Sequence, residues 1–453
     1  MSKRRFLLPT AVALVALPMF VGFAGPDASD GRWDRVSRDG LRLVRNLLSM
    51  RSAEAADDHP FAAYSEALDV LRKNYYSGDV TSAKATRELT EAAIRGMLYS
   101  LNDPFTSFLD KEEWDQMQQT TRGDFEGIGA VLEPFGQDVR VVRTIPESPA
   151  FKAGLKAKDV ILSVDEYDGE KKIKTKAALG LNINEVVKLI KGPKGTKVGV
   201  TVMRKGSAQP VSFVITRAYI EPPTVQYWME DEKNKIGRIL LNEFNEKSDA
   251  QFGKALDALT KQGMKALVFD LRYNPGGLLN VAVDIGSRFV EKAPVVVIQE
   301  KNGYRQPIPA RGRNKMPRGL PIAVLINDSS ASASEIVAGA IKDYAVGTLV
   351  GQHTFGKGMV QTLFPLDDGS ALRLTTAKYF TPHLHDINNK FDDEHRPMFG
   401  TGGIKPDVPV TQPEDFVAQD WTEDNKKFDL QLKKALEFLR TKLASTTAAR
   451  PQP

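Results

Sequence analysis

The sequence predicts a multidomain α/β protein, in which a parallel-rich sheet flanked by helices is preceded by an inserted β-rich segment, with helical regions at both ends. Three observations carry that expectation. From Ile236 to Val350 apolar strands alternate with amphipathic helices, the pattern of a sheet paired in parallel and covered on both faces. Between Phe125 and Arg217 the hydrophobic period falls to two, apart from one long amphipathic helix near the end. The 453 residues are 42% hydrophobic and 26% charged, enough apolar surface for two or three cores.

The chain opens on Lys3-Arg4-Arg5, followed by an apolar run from Phe6 to Ala24 broken by Pro9, Thr10, Pro18 and Gly22. This reads as a signal peptide over 1–24 with small residues, Gly22 and Ala24, at a cleavage site; the run also has the length of an uncleaved membrane anchor. Both readings predict export to the periplasm or another extracytoplasmic space, and the anchor would keep the N-terminal segment in contact with a membrane. Cysteine is absent, which excludes disulfides, thiol nucleophiles and zinc-thiolate sites. A net charge of +5 without a basic stripe of interleaved aromatics argues against nucleic acid as a partner.

Residues 25–59 mix charge, Gly and Ala and read as a linker. Over 60–121 the period is helical: Tyr64, Leu68, Leu71 and Tyr75 share one face, Ala92, Ile94, Met97 and Leu98 another, and Asn102-Asp103-Pro104 breaks the run. The stretch 122–217 opens with Gly127-Ile128-Gly129-Ala130-Val131 and continues through Ala153-Gly154-Leu155 and Asp159-Val160-Ile161-Leu162-Ser163-Val164-Asp165. A helix with Ile183, Val186, Val187 and Ile190 on one side follows, then two alternating strands. That order resembles a PDZ domain. The N–H groups around Gly127, Ile128, Gly129 and Ala130 would then form a nest for a peptide's terminal carboxylate, while the ligand adds a strand beside the helix. A Gly-Ile-Gly triplet alone would read as a tight turn.

After Glu221-Pro222-Pro223 the core domain, 218–411, is predicted to run through strands at Ile236–Leu241, Ala266–Leu271, Val295–Ile298 and Ile322–Ile326 in one parallel sheet. Strands are also expected at Val360–Pro365 and Ala371–Tyr379. The last region, 412–453, carries a helix around Phe428–Leu443.

Asn327-Asp328-Ser329-Ser330-Ala331-Ser332-Ala333-Ser334-Glu335 joins a buried strand to a helix. Such a turn exposes a hydroxyl beside free N–H groups and the positive end of a helix dipole, a setting suited to a nucleophile. A serine nucleophile needs a base. The five histidines, His59, His353, His383, His385 and His395, leave a Ser-His-Asp arrangement open by spacing, yet none has a distinguishing context. Lys357, between Gly356 and Gly358, is the other option; burial lowering its pKa from about 10.4 to roughly 7–8 would make it a base. Gly351 to Lys357 also has phosphate-loop spacing, but Gly358 stands where a metal-binding Ser or Thr belongs, and a strand pattern follows.

These residues, with Thr354-Phe355-Gly356-Lys357-Gly358-Met359-Val360-Gln361, Leu372–Tyr379, Gly403-Ile404-Lys405-Pro406-Asp407 and Asp270-Leu271-Arg272-Tyr273-Asn274-Pro275-Gly276-Gly277, resemble the carboxy-terminal processing proteases, PDZ-containing serine peptidases with a Ser-Lys dyad. The resemblance implies an α/β serine-peptidase core, Ser332 as nucleophile, Lys357 as general base, and Gln361 as the residue positioning the lysine. It implies backbone oxyanion donors at Ala333 and Gly276, and no cofactor. Its partners would be proteins or peptides with exposed C-termini, and the helical ends would build a homo-oligomer; an activating partner protein is left open. Ser334 reads as the helix N-cap, Ser330 as a turn residue, and Asp270, Arg272 and Glu335 as residues that hold loops. The segment His383–Thr401 departs from the family's short turn. Its histidines and acids could be a metal site, but a solvated polar loop is the expectation and no metal is assigned. Two rivals differ in class: a non-catalytic scaffold binding C-termini, and a small-molecule acyltransferase or hydrolase, which leaves the PDZ-like segment unexplained.

Overall fold

A computed structural model describes residues 60–448 apart from 292, 313–315, 393–395, 397, 399, 414–415 and 417–425. The expected signal segment, the linker and His395 lie outside the described residues. The chain divides into two compact units, Met1–Thr90 and Glu91–Pro453.

In the first unit, helix Pro60–Asn74 is followed by a turn in which the Asp79 carboxylate accepts from the Thr81 and Ser82 N–H groups. Helix Ala83–Tyr99 then begins, and Arg72 donates to Thr86 Oγ1 at 2.9 Å. The helical period of the sequence is realised, but Tyr64, Leu71 and Tyr75 stay exposed, with Phe61, Val70 and Tyr76.

The second unit contains nineteen strands among the described residues. They are β1 Ser107–Leu109, β2 Phe125–Gly127, β3 Ala130–Phe135, β4 Asp138–Thr144, β5 Val160–Asp168, β6 Lys171–Ala177, β7 Lys197–Met203, β8 Val211–Thr216, β9 Ala218–Ile220 and β10 Val225–Asp231, then β11 Ile236–Leu241, β12 Ala266–Asp270, β13 Pro294–Glu300, β14 Arg305–Pro309, β15 Ile322–Ile326, β16 Thr348–Gly351, β17 Met359–Pro365, β18 Ala371–Phe380 and β19 Val408–Pro409.

Six of these form a sheet in the order β10-β11-β12-β15-β16-β19, antiparallel at β10 and parallel from β11 onward. Every residue of β11, β12 and β15 is buried, as expected for central strands written as continuous apolar runs. Helices Ser248–Lys261, Leu279–Gly286 and Ala333–Asp343 pack into one core with Phe252, Phe269 and Val324; helix Leu430–Ala448 brings Leu432, Ala435 and Leu439 against Ile236, Val268 and Leu325 in another.

The expected parallel strand Val295–Ile298 lies elsewhere. As β13 it pairs antiparallel with β14 and β18 in a second sheet, β1-β18-β13-β14, with β17 also on β18. The physical reason is the connection: only Lys301–Tyr304 separates β13 from β14, and a short turn joins antiparallel strands, whereas parallel ones need a crossover. Likewise β1, from a stretch expected to be helical, pairs with Ala371–Arg373 of β18.

Residues 130–216 build a β-rich module, with the sheet β3-β4-β5-β7-β8 and β6 on β5, around its own core of Val141, Ile161, Val186, Val198 and Val200. Helix Ile183–Ile190 packs against β3 and β5, and β3 lies at the sheet edge. The two-stranded ribbon β2-β9, with Phe125 opposite Ile220, closes the module where the chain enters and leaves it.

Candidate active site

The turn after β15 is held at each serine differently. Ser330 is fully buried; its Oγ donates to Leu271 O at 2.8 Å and accepts from Asn327 N–H at 3.0 Å, so it serves the turn, as the sequence suggested. Ser334 is not the cap. The helix starts at Ala333 with Ser332 capping it, and Ser334, inside the first turn, donates to Asn274 O at 2.9 Å. The cap position moves because Ser332 has φ +54° and ψ −113°, a reversal that ends the strand-side turn two residues earlier than propensity alone indicates. Such backbone, sparsely populated for a non-glycine residue, turns one side chain outward between two buried neighbours, Ala331 and Ala333.

The buried Glu335 carboxylate organises what surrounds it. It accepts from the N–H of Ser332 at 2.9 Å, of Gly356 at 2.7 Å and of Lys357 at 2.9 Å, and from Thr354 Oγ1 at 2.6 Å. Burial pushes this carboxyl above the usual range, and the four donors pull it back. A carboxylate that accepts from both the serine turn and the lysine loop fixes their separation. The sequence marked Glu335 as a loop-holder, and that is its place here.

Lys357 is half-buried, with Nζ 4.9 Å from the centroid of the Phe105 ring. Its pKa is lowered from 10.5, first by burial and then by the Arg373 cation, while Glu335 and Asp103 oppose the shift. A depressed lysine is able to hold a lone pair nearer neutral pH. Strand β17 begins two residues later, at Met359, which does not fit a phosphate loop, since that loop opens a helix.

Tyr379, 2% exposed and next to last in β18, carries no signal in the sequence beyond its place in a strand. Its hydroxyl donates to Lys357 O, and burial raises its pKa while the nearby Ser332 side chain opposes that shift. Tyr379 thus holds the Lys357 carbonyl beside the serine turn.

Gln361 lies on β17 opposite Thr375, and its buried Nε2 has no hydrogen-bond partner among the described residues. Gly276 lies against the turn: a Cβ there would stand 2.8 Å from Ser332 Cβ and 2.9 Å from Ala333 N. The lack of a side chain therefore leaves open the space before the Ala333 N–H, which has no acceptor among the described residues. Gly276 N–H, expected to face the same space, instead donates to Asn274 Oδ1 at 2.9 Å, so an Asx-type turn already uses it. The loop is anchored to its neighbours, since Asn274 Nδ2 donates to Leu241 O and Asn274 O accepts from Ala331 N–H.

In the β-rich module, Ile128 O accepts from Ala150 N–H and Gly129 O from Ile145 N–H and Ser148 Oγ. Both carbonyls turn into the module. Gly129 has φ +79°, and a Cβ would collide with Ser148 Cβ at 2.3 Å, so the loop requires glycine. Gly127 ends the β2-β9 ribbon opposite Ala218, and Ala130 begins β3 at the groove beside helix Ile183–Ile190.

Among the described residues no group of three or more His, Asp or Glu side chains is placed to hold a metal ion. His385 Nδ1 is 3.3 Å from Asp343 Oδ1, and the Asp343 carboxylate also accepts from the His383 N–H. The polar segment is less solvated than expected, because Ile387 and Asn389 are buried against the lysine loop.

Residues 235–410 match the family described as peptidase family S41, and residues 40–113 match the activating protease CtpB N-terminal domain. Among curated proteins, carboxy-terminal processing protease CtpA of Bacillus subtilis (strain 168) is 35% identical over 82% of this chain and 72% of its own length. The carboxyl-terminal-processing protease of Synechocystis sp. is 34% identical over 82% of this chain and 80% of that protein. A solved structure, the photosystem II D1 C-terminal processing protease, aligns at 31% identity with a TM-score of 0.44, covering 78% of this chain and 88% of that one. The chain belongs to the carboxy-terminal processing proteases of peptidase family S41, and is a serine-type peptidase.

Proposed function

We propose that this peptidase cleaves polypeptides by acyl-enzyme chemistry with Ser332 and Lys357 as its dyad, and that the 122–217 module is a PDZ domain admitting substrates by their exposed C-termini. The observation that carries the reading is the Glu335 carboxylate, which binds Ser332, Gly356 and Lys357 through their N–H groups within 2.9 Å. Lys357 Nζ takes the Ser332 proton as Oγ attacks the carbonyl carbon. The Ala333 N–H, fronted by the space at Gly276, supports the oxyanion, and the proton passes from Lys357 to the leaving amine. Gln361 serves as the lysine's positioning residue through its otherwise unpartnered amide.

For the PDZ reading, the inward carbonyls of Ile128 and Gly129 support a loop whose N–H groups face a carboxylate, next to an open strand edge and a helix. Exposed Phe61, Tyr64, Val70 and Leu71 suit a homo-oligomeric contact, and the apolar start suits export with membrane contact; an activating partner stays within the proposal without a site assigned to it. Ser332→Ala and Lys357→Ala should each abolish cleavage of an unfolded test protein and leave thermal unfolding unchanged. Normal turnover by Lys357→Ala would sink the dyad.

A further inference from the structure

The segment that departs from the family's short turn wraps the lysine loop on both sides. Gly358 N–H donates to Asn388 Oδ1 at 2.9 Å, and the Asp386 carboxylate orients that amide by accepting from Asn388 N–H at 2.9 Å and from Nδ2 at 2.7 Å. On the other side of the lysine, Asn389 N–H donates to Gly356 O at 3.0 Å, and its Nδ2 donates to Phe355 O. Asn389 is 4% exposed, and Gly402 N–H returns to its Oδ1 at 3.0 Å. The two glycines permit this approach: a Cβ on Gly356 would stand 2.7 Å from Asn389 Cγ, and one on Gly358 2.8 Å from Asn388 Nδ2. A third contact comes from Phe391, whose ring meets Phe105 edge-on at 6.3 Å and 76°, while Phe105 in turn lies over Lys357 Nζ.

We propose that Asp386–Phe391 is a strap belonging to the catalytic apparatus, with Asn388 and Asn389 positioning the lysine loop and Phe391 backing the aromatic wall that keeps water from Lys357 Nζ. The proposal rests on the reading of Lys357 as general base. Asn388 and Asn389 act on the backbone at either side of Lys357, and Phe391 acts through Phe105, so all three are positioning residues. The charged groups acting on the lysine are Arg373 on β18, Glu335 in helix Ala333–Asp343 and Asp103 ahead of β1; the strap's own charges, Asp386 and Lys390, are not among them, and the Asp386 carboxylate is taken up by Asn388. The strap's effect is therefore on hydration. The Phe105 ring face favours the ammonium, whereas the exclusion of water disfavours it and is the first cause of the lowered pKa. Loosening the wall while leaving Phe105 in place should stabilise the protonated lysine, which is inactive as a base.

The test is kcat/KM against pH for the full chain carrying Phe391→Ala and, beside it, Phe391→Leu. The acid limb of Phe391→Ala should move to higher pH by about one unit, which is about tenfold in rate below the limb, with KM held and leucine restoring most of the loss. Superimposable limbs would overturn the proposal. Should Phe391→Ala fail to fold, Asn388→Ala decides: the strap requires a fall in kcat of about tenfold with KM and unfolding temperature unchanged, and wild-type kcat overturns it. An inactive Lys357→Ala enzyme beside an unshifted Phe391→Ala limb defeats the strap alone; an active Lys357→Ala enzyme defeats the dyad beneath it.

Discussion

At the scale of single residues, Glu335 joins the two loops of the candidate site. Its two oxygens accept four donors drawn from two loops. Glutamine would replace one acceptor by an NH₂ group facing N–H donors, so the loops would part. We expect Glu335→Gln to reduce kcat by about a hundredfold with little change in KM, the signature of misplaced chemistry rather than lost binding, and steady-state kinetics on a fixed peptide checks it. Gly276→Ala tests the adjoining space. Its Cβ would lie 2.7 Å from Ala331 O and 2.8 Å from Ser332 Cβ, at φ +103°. Loss of about a hundredfold in labelling of Ser332 by a serine-reactive phosphonate is expected, and undiminished labelling would remove Gly276 from the oxyanion pocket. Ser332, Lys357 and the glycine loop were legible because each stands in a motif of unusual composition. Tyr379 was not, since an apolar or aromatic residue at a strand end reads as core until its hydroxyl's neighbours are known. Nor does spacing reveal that Asn274, not the oxyanion space, takes the Gly276 N–H.

Among the elements, β18 receives β17 along its length, β1 at Ala371–Arg373 and β13 at Ala377–Phe380. It thereby holds Tyr379 in register with the strand that follows Lys357. Hydrophobic period located most strands but not their partners: β13 has the apolar run of a parallel strand, and only the four-residue turn to β14 distinguishes it. β1 escaped because three residues within a helical stretch carry too short a period to detect. The module's β3 edge supplies another prediction. Gly129→Ala would force a Cβ at φ +79° into Ser148. Binding of a C-terminal peptide by the full chain should fall at least about tenfold, while phosphonate labelling of Ser332 is retained; unchanged peptide binding would remove the Gly127–Ala130 loop from carboxylate recognition.

Across the whole molecule, Arg272 joins parts of the chain far apart in sequence. Fully buried with Asp270, it donates Nε and Nη2 to that carboxylate, Nη1 and Nη2 to Asp429, and Nη1 to Gln431 at the start of the last helix. Burial opposes ionisation of Asp270, yet Arg272 and Arg238 hold it below its ordinary 3.8. Its folded pKa being depressed, the stability it contributes is complete above the unfolded value and is lost as pH falls through the lower folded one. Removing Asp429 takes two of the hydrogen bonds from the buried Arg272 guanidinium and an anion from the network. Asp429→Ala should therefore destabilise by about 3–5 kcal/mol, read in urea unfolding at neutral pH, while an unchanged midpoint would show that solvent reaches Arg272. Neither the pairing of Arg272 with Asp429 nor the cover of the sheet by helix Leu430–Ala448 could be read from periodicity, because no local pattern records a contact across more than 150 residues.

That tie also sets an order of events during synthesis. Arg272 lies two residues before Asn274, whose carbonyl and side chain hold the loop facing Ser332. A chain emerging from the ribosome carries Ser332 and Lys357 well before Asp429, Gln431 and the helix that buries Ile236 and Leu325. Until those later residues arrive, Arg272 lacks its contacts with Asp429 and Gln431, and the sheet lacks one face. The growing protease would accordingly be a poor catalyst until helix Leu430–Ala448 has been made and docked.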